Sequence, residues 1–161
     1  MAATIYVNIL NNVIYDGFVE IKDFINNNNN LEDNPNLSDK DIGWFRNIIF
    51  LGNIKNLDAF FEEKESAILR GCILDEMYKE LPKDNQYLAI ERFLDYENYF
   101  NELIIENENA INAMAYAIFE KYKINQYQGD LFKRKNKPNA IFYNELKNLL
   151  KHFIWNWEDY L

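Results

Sequence analysis

The stretch Ser38-Asp39-Lys40-Asp41-Ile42-Gly43-Trp44-Phe45-Arg46-Asn47-Ile48-Ile49-Phe50-Leu51-Gly52 decides the fold class. Ser38 supplies an N-cap hydroxyl, and Asp39 and Asp41 place carboxylates in the first turn, where the helix dipole favours them. Trp44, Phe45, Ile48, Ile49 and Leu51 then recur with helical spacing, and Gly52 reads as a stop. The same 3.6-residue rhythm continues to the end of the chain. A second helical region spans residues 57–81 and ends before Pro82, which cannot continue a helix. A third starts near Asp84 or Asn85 and reaches Glu106, and a fourth covers about residues 109–124. A loop from Gly129 to Pro138 follows. A last helix spans residues 139–157, with Phe142, Leu146, Leu149, Leu150 and Phe153 along one stripe. The expectation is an all-α, compact bundle of five to seven helices in one domain.

The first 25 residues carry two signals. Asp16-Gly17 between β-branched and aromatic residues is a hairpin signature. Ile5, Ile9, Val13 and Tyr6, Leu10, Ile14 instead recur every four residues. The helical reading is preferred, as two helices over 3–15 and 18–26 broken near Gly17, with a small hairpin as the alternative.

Residues 26–37 join this segment to the rest. Asn is the commonest residue, with 25 copies, and Ile, Lys, Phe and Tyr are also abundant. All five are residues that A/T-rich codons specify. The run Asn26–Asn30 therefore reads as a solvated linker inside the domain.

A weak echo divides the middle of the chain. Glu63-x-Glu65-Ser66-Ala67-Ile68 returns 43 residues later as Glu106-x-Glu108-Asn109-Ala110-Ile111. Ser66 and Asn109 are both good N-caps, so each copy can open a helix. A period near 43 suits helix-pair repeats of the HEAT or armadillo type. An irregular bundle is the other reading.

Charge and chemistry narrow the function. Of 161 residues 26 are acidic and 17 basic, net −9, and the imbalance is local. Residues 1–109 hold 21 acidic against 9 basic side chains, net −12. Residues 110–138 hold 2 against 6, net +4. Such acidity disfavours non-specific binding to phosphate backbones and favours a basic partner.

No nucleophile–base pair is evident. His152 is the single histidine and reads as a partly buried structural residue. Cys72, the single cysteine, lies among Leu69, Ile73 and Leu74 and reads as a buried, unreactive thiol. It has no disulfide partner within the chain, which suits the cytoplasm. Five isolated glycines form no phosphate-cradling loop, and no Glu-x-x-His motif marks a metal site. No cofactor or metal is expected.

Two features suggest binding instead. Along the third helix Ala89, Phe93, Tyr96, Phe100 and Leu103 form an apolar stripe, and Glu91, Asp95, Asn98, Glu102 and Glu106 form a separate carboxylate ladder. The tail Trp155-x-Trp157-x-x-Tyr160-Leu161 is aromatic to its last residues. It either folds back on the body or anchors an interface. The basic segment Lys133-Arg134-Lys135-Asn136-Lys137-Pro138 reads as a solvated turn, with contact to RNA phosphate or to the acidic face of a second copy as the alternatives.

Together these give an expected function: a non-enzymatic inhibitor of the immunity or antitoxin kind, neutralising a basic toxin, such as a nuclease domain, by direct binding. Glu91, Asp95, Asn98, Glu102, Glu106, Trp155 and Trp157 are its candidate contacts. A helical-repeat adaptor and a phage-encoded nucleic-acid mimic are the alternatives.

Overall fold

The computed structural model describes residues 1–160, the side chain of Tyr160 excepted, so the end of the aromatic tail lies outside the described residues. The described residues form seven α-helices and no strand. They are α1 (Ala2–Asn26), α2 (Ile42–Lys55), α3 (Glu63–Met77), α4 (Lys83–Asn107), α5 (Ala110–Lys121), α6 (Asp130–Lys135) and α7 (Ala140–Leu150).

Helices α2 and α5 form the centre. From Ile48 to Ile54 every residue of α2 is buried, and α5 buries Ala113, Met114, Ala115, Ala117, Ile118 and Phe119. A helix that is apolar all round must be covered on every side. Here α1, α4 and α5 pack on α2, while α2, α4 and α7 pack on α5. The three buried alanines of α5 let these neighbours approach closely. Helix α3 lies against α1 on the outside of this core.

Helix α1 is one uninterrupted helix of 25 residues and has no break at Gly17. Its buried line runs through Tyr6, Leu10, Ile14, Phe18, Ile21 and Ile25. Gly17 is a packing residue. A Cβ there would meet the Phe153 ring at 2.5 Å, so its absence lets the ring lie against the helix. Gly52 likewise ends nothing, since α2 continues to Lys55. A Cβ on Gly52 would lie 2.2 Å from Met114 Sδ, and its absence permits the α2–α5 contact.

Ser38 caps a single 3-10 turn, Asp39–Asp41, that feeds α2. Its backbone N–H donates to Asp41 Oδ2 at 2.8 Å. The segment 26–37 is pinned as well as solvated. Asn26 donates to the Leu37 carbonyl (2.9 Å) and accepts from the Leu37 N–H (2.8 Å). The Glu32 and Asp33 amides donate to the Tyr127 carbonyl, and Leu31 is buried.

The helix-pair repeat does not form. Asn109 caps α5, accepting from the Asn112 N–H at 2.9 Å. Ser66 instead lies inside α3, which starts at Glu63, and its hydroxyl is directed to the Phe61 carbonyl. The two copies of the echo thus occupy different structural positions. The basic segment expected as a loop contains a short helix, α6, with Lys133, Arg134 and Lys135 in its last turn, where they suit the dipole. The last helix is also shorter than its apolar stripe. Helix α7 stops at Leu150, a 3-10 turn covers Lys151–Phe153, and the chain then turns back across the body.

Candidate functional site

Helix α4 has two opposed faces. Phe93, Phe100 and Leu103 are buried on the core side. Glu97 is on that side too, only 6% exposed, and receives Lys55 Nζ at 2.9 Å together with the Arg70 guanidinium. This buried carboxylate ties α4 to both α2 and α3.

Glu91, Asp95, Asn98, Glu102 and Glu106 are all exposed. At about 100° per residue they fall within a sector of about 80°, centred opposite Phe100. The span from Glu91 to Glu106 is roughly 22 Å long at 1.5 Å per residue. Among the described residues no ion pair engages these four carboxylates; the ion pairs present involve Asp39, Glu76 and Glu97.

Their placement is locally unfavourable. Glu91–Asp95 and Glu102–Glu106 are like-charge i,i+4 pairs, each costing a few tenths of a kcal/mol. Glu102 and Glu106 also approach the C-terminal end of α4, where the dipole favours cations, yet the last turn carries no basic residue. The chain turns after Asn107 at Glu108, whose φ of 79° is unusual for a residue with a side chain.

The structure adds two residues to this face that the apolar stripe did not reveal. Tyr87 is 78% exposed and Ile105 82% exposed, both on one flank of the ladder. Their spacing of 87, 91, 98 and 105 is a helical line, so the signal was present in the sequence.

The carboxy-terminal aromatics build a second surface. Buried Asn53 on α2 donates to the Phe153 carbonyl at 3.0 Å and accepts from the Trp155 N–H at 2.7 Å. This clamp turns the tail back toward the start of α1. Trp157 stacks on Tyr6 with centroids 5.2 Å apart, and Phe61 meets its ring edge-on at 5.1 Å. Trp157 is therefore a core residue, 5% exposed, and Trp155 is half-buried beside it. Neither projects from the body.

Between α1, α3 and this tail runs an apolar groove of about 590 Å³. Ala2 and Ile5 contribute from α1, Ile68 and Leu69 from α3, with both tryptophans. Cys72 also lines it and is exposed, which corrects the expectation of a buried thiol. Ile73, Leu74 and Met77 take the core side of α3. Cys72 lies about 100° round the helix from Ile73, so it shares the groove side with Leu69 and not the core side with Ile73 and Leu74. No α4 residue lines the groove, so the two surfaces are separate.

Several other polar groups serve the structure. Thr4 donates to Glu76 at 3.0 Å. The Tyr99 hydroxyl donates to both Glu120 oxygens, and Lys121 Nζ lies 3.8 Å from the Trp44 ring centroid. Desolvation raises the Tyr96, Tyr99 and Tyr122 hydroxyls well above the usual tyrosine range. His152 is exposed on the turn after α7, where a partly buried residue was expected. Among the described residues no three His, Cys, Asp or Glu side chains converge as metal ligands. Among the described residues no helix is long and apolar enough to cross a membrane. Comparison of the chain with protein-family models, with curated proteins and with solved structures finds no match.

Proposed function

We propose that this chain is a non-enzymatic inhibitor that binds a basic protein, in the manner of a bacterial immunity protein or antitoxin acting on a toxin such as a nuclease domain. The outer face of α4 is the contact surface. The observation that carries this reading is the exposed, unpaired row Glu91, Asp95, Glu102 and Glu106, opposite the core and unfavourable for its own helix. Natural sequences that break a local rule do so most often at functional positions.

Asn98 adds an exposed amide able to donate to or accept from a partner, and Tyr87 and Ile105 supply exposed apolar area of the kind that holds an interface once charge has steered it. A lone exposed thiol suits a reducing compartment, and the inhibitor acts in the cytoplasm.

The experiment is capture of the partner on the tagged protein, followed by titration of the Glu91→Lys, Glu102→Lys double variant. The variant is expected to fold as the parent does, because Lys and Glu are similar helix formers. Its binding is expected to weaken by several kcal/mol through like-charge juxtaposition. Parent-like affinity in the folded variant would show this face to be merely solvated.

A further inference from the structure

Lys133, Arg134, Lys135 and Lys137 stand together at the C-terminal end of α6, all exposed, in a chain of net −9. Among the described residues none of them enters an ion pair. The backbone beneath them is held in place. Gln128, 1% exposed, donates to the Lys137 carbonyl at 2.9 Å and accepts from the Asn139 N–H at 2.8 Å. Asn125 donates to the Lys133 carbonyl at 3.2 Å, and Asn136 turns the chain with a φ of 51°. A fixed backbone lowers the ordering cost when these side chains meet a partner.

The neighbouring acids gather at the other end of α6. Asp130 is its first residue, and Glu32 Oε1 lies 2.8 Å from the position a Cβ on Gly129 would take. Asp33, next to Glu32, donates its amide N–H to the Tyr127 carbonyl, just before α6. Leu131 adds apolar area to the basic patch. It is 63% exposed and shares a face of α6 with Arg134 and Lys135, three and four residues on.

The outer face of α4 has the opposite composition. It sets Glu91, Asp95, Glu102 and Glu106 beside exposed Tyr87 and Ile105, and Arg92 on its flank pairs with none of them. The two patches therefore complement each other in sign, in number of charges and in apolar content. Among the described residues no ion pair joins them within one copy. RNA would match the cations alone. The exposed apolar side chain here is an aliphatic Leu131 and not a ring for base stacking, and net −9 repels phosphate.

We propose that the α6 patch of one copy docks on the α4 face of a second, giving weak head-to-tail self-association. Two different surfaces meet, so the contact is heterologous and further copies add through the same contact. Self-association does not depend on any other partner of α4. Only its displacement by a basic partner rests on the function proposed for that face.

Sedimentation of the pure protein, with no partner present, tests the contact. Weight-average mass should rise with concentration, with a dissociation constant on the order of 0.1 mM, because exposed ion pairs contribute little each. It should fall in about 1 M salt, where the screening length drops to about 3 Å. The Glu91→Lys, Glu102→Lys and the Arg134→Glu, Lys137→Glu variants should each stay monomeric where the parent associates. Mixed, the two should form a 1:1 complex, since each keeps the patch the other has lost. Arg134→Gln, Lys137→Gln, which puts no acid at the C-terminal end of α6, should weaken association in the same direction. Leu131→Gln should weaken it about threefold. Circular dichroism of every variant should match the parent.

A parent that stays monomeric up to about 1 mM, well above the expected constant, would overturn the proposal. So would association unchanged in both charge-reversal variants, or no association when the two folded variants are mixed. Binding of a single-stranded RNA oligonucleotide, lost in Arg134→Glu, Lys137→Glu, by a parent that does not self-associate would overturn it in favour of a nucleic-acid contact. Self-association in a protein that captures no basic partner would support this contact and count only against the function proposed for α4.

Discussion

Asn53 shows how one polar side chain sets the course of a whole segment. It sits buried on α2 and satisfies the Phe153 carbonyl and the Trp155 N–H together. Asn53→Ala would leave those backbone groups unpaired and is expected to cost about 2–4 kcal/mol. The check is a urea unfolding curve, with a red shift of tryptophan emission in the folded variant as the tail loosens. Glu97 is the charged counterpart. Glu97→Gln strands Lys55 and Arg70, but both are partly solvated, so the loss should be about 1–3 kcal/mol, below that of a fully buried pair. Cys72 should label rapidly with a maleimide in the native protein, because it is exposed. Its sequence neighbours Leu69, Ile73 and Leu74 implied a core thiol. Position round the helix axis decided otherwise, and a run of apolar residues does not encode that position.

At the scale of elements, periodicity and caps were legible and the glycines were not. Asn109 and Asn139 cap α5 and α7 as local chemistry dictates. Gly17 and Gly52 read as breaks because glycine weakens an isolated helix. Their role is set by Phe153 and Met114, residues far away in sequence that need the missing Cβ. Nothing within the sequence window around a glycine reports such a partner. Two substitutions separate the roles. Gly71→Ala, with nothing within 4 Å of the added Cβ, should stabilise α3 by about 0.5–1 kcal/mol. Gly52→Ala should destabilise by about 1–3 kcal/mol, because Met114 is fully buried and must move. Thermal unfolding monitored by circular dichroism measures both. Glu108→Gly at positive φ should raise stability by about 1 kcal/mol, and would do so without touching the acidic row. The acidic row was legible because an exposed helix face needs only the helical period to define it. The groove was not, since it gathers α1, α3 and the tail from opposite ends of the chain.

The whole molecule combines an aromatic core with an uneven charge. Desolvation raises the hydroxyls of Tyr6, Tyr96 and Tyr122 above their ordinary value. A raised folded-state value means the stabilisation is complete below the unfolded tyrosine value of about 10 and is lost as pH rises beyond it. Tyrosinate absorbance from these residues should therefore appear together with unfolding in an alkaline titration.

The surface charge has its own global consequence, attraction of a basic partner from a distance, screened beyond about 10 Å at 0.1 M salt. The most direct test measures the association rate of the captured partner across a salt series. The parent is compared with the Glu91→Lys, Glu102→Lys variant and with an Asp16→Lys, Glu20→Lys control of equal net charge on α1. If α4 is the contact face, the α4 variant loses most of the rate and most of the salt dependence, while the control keeps the larger part of both. Equal losses in the two variants would mean that only net charge matters, and would contradict the assignment of α4.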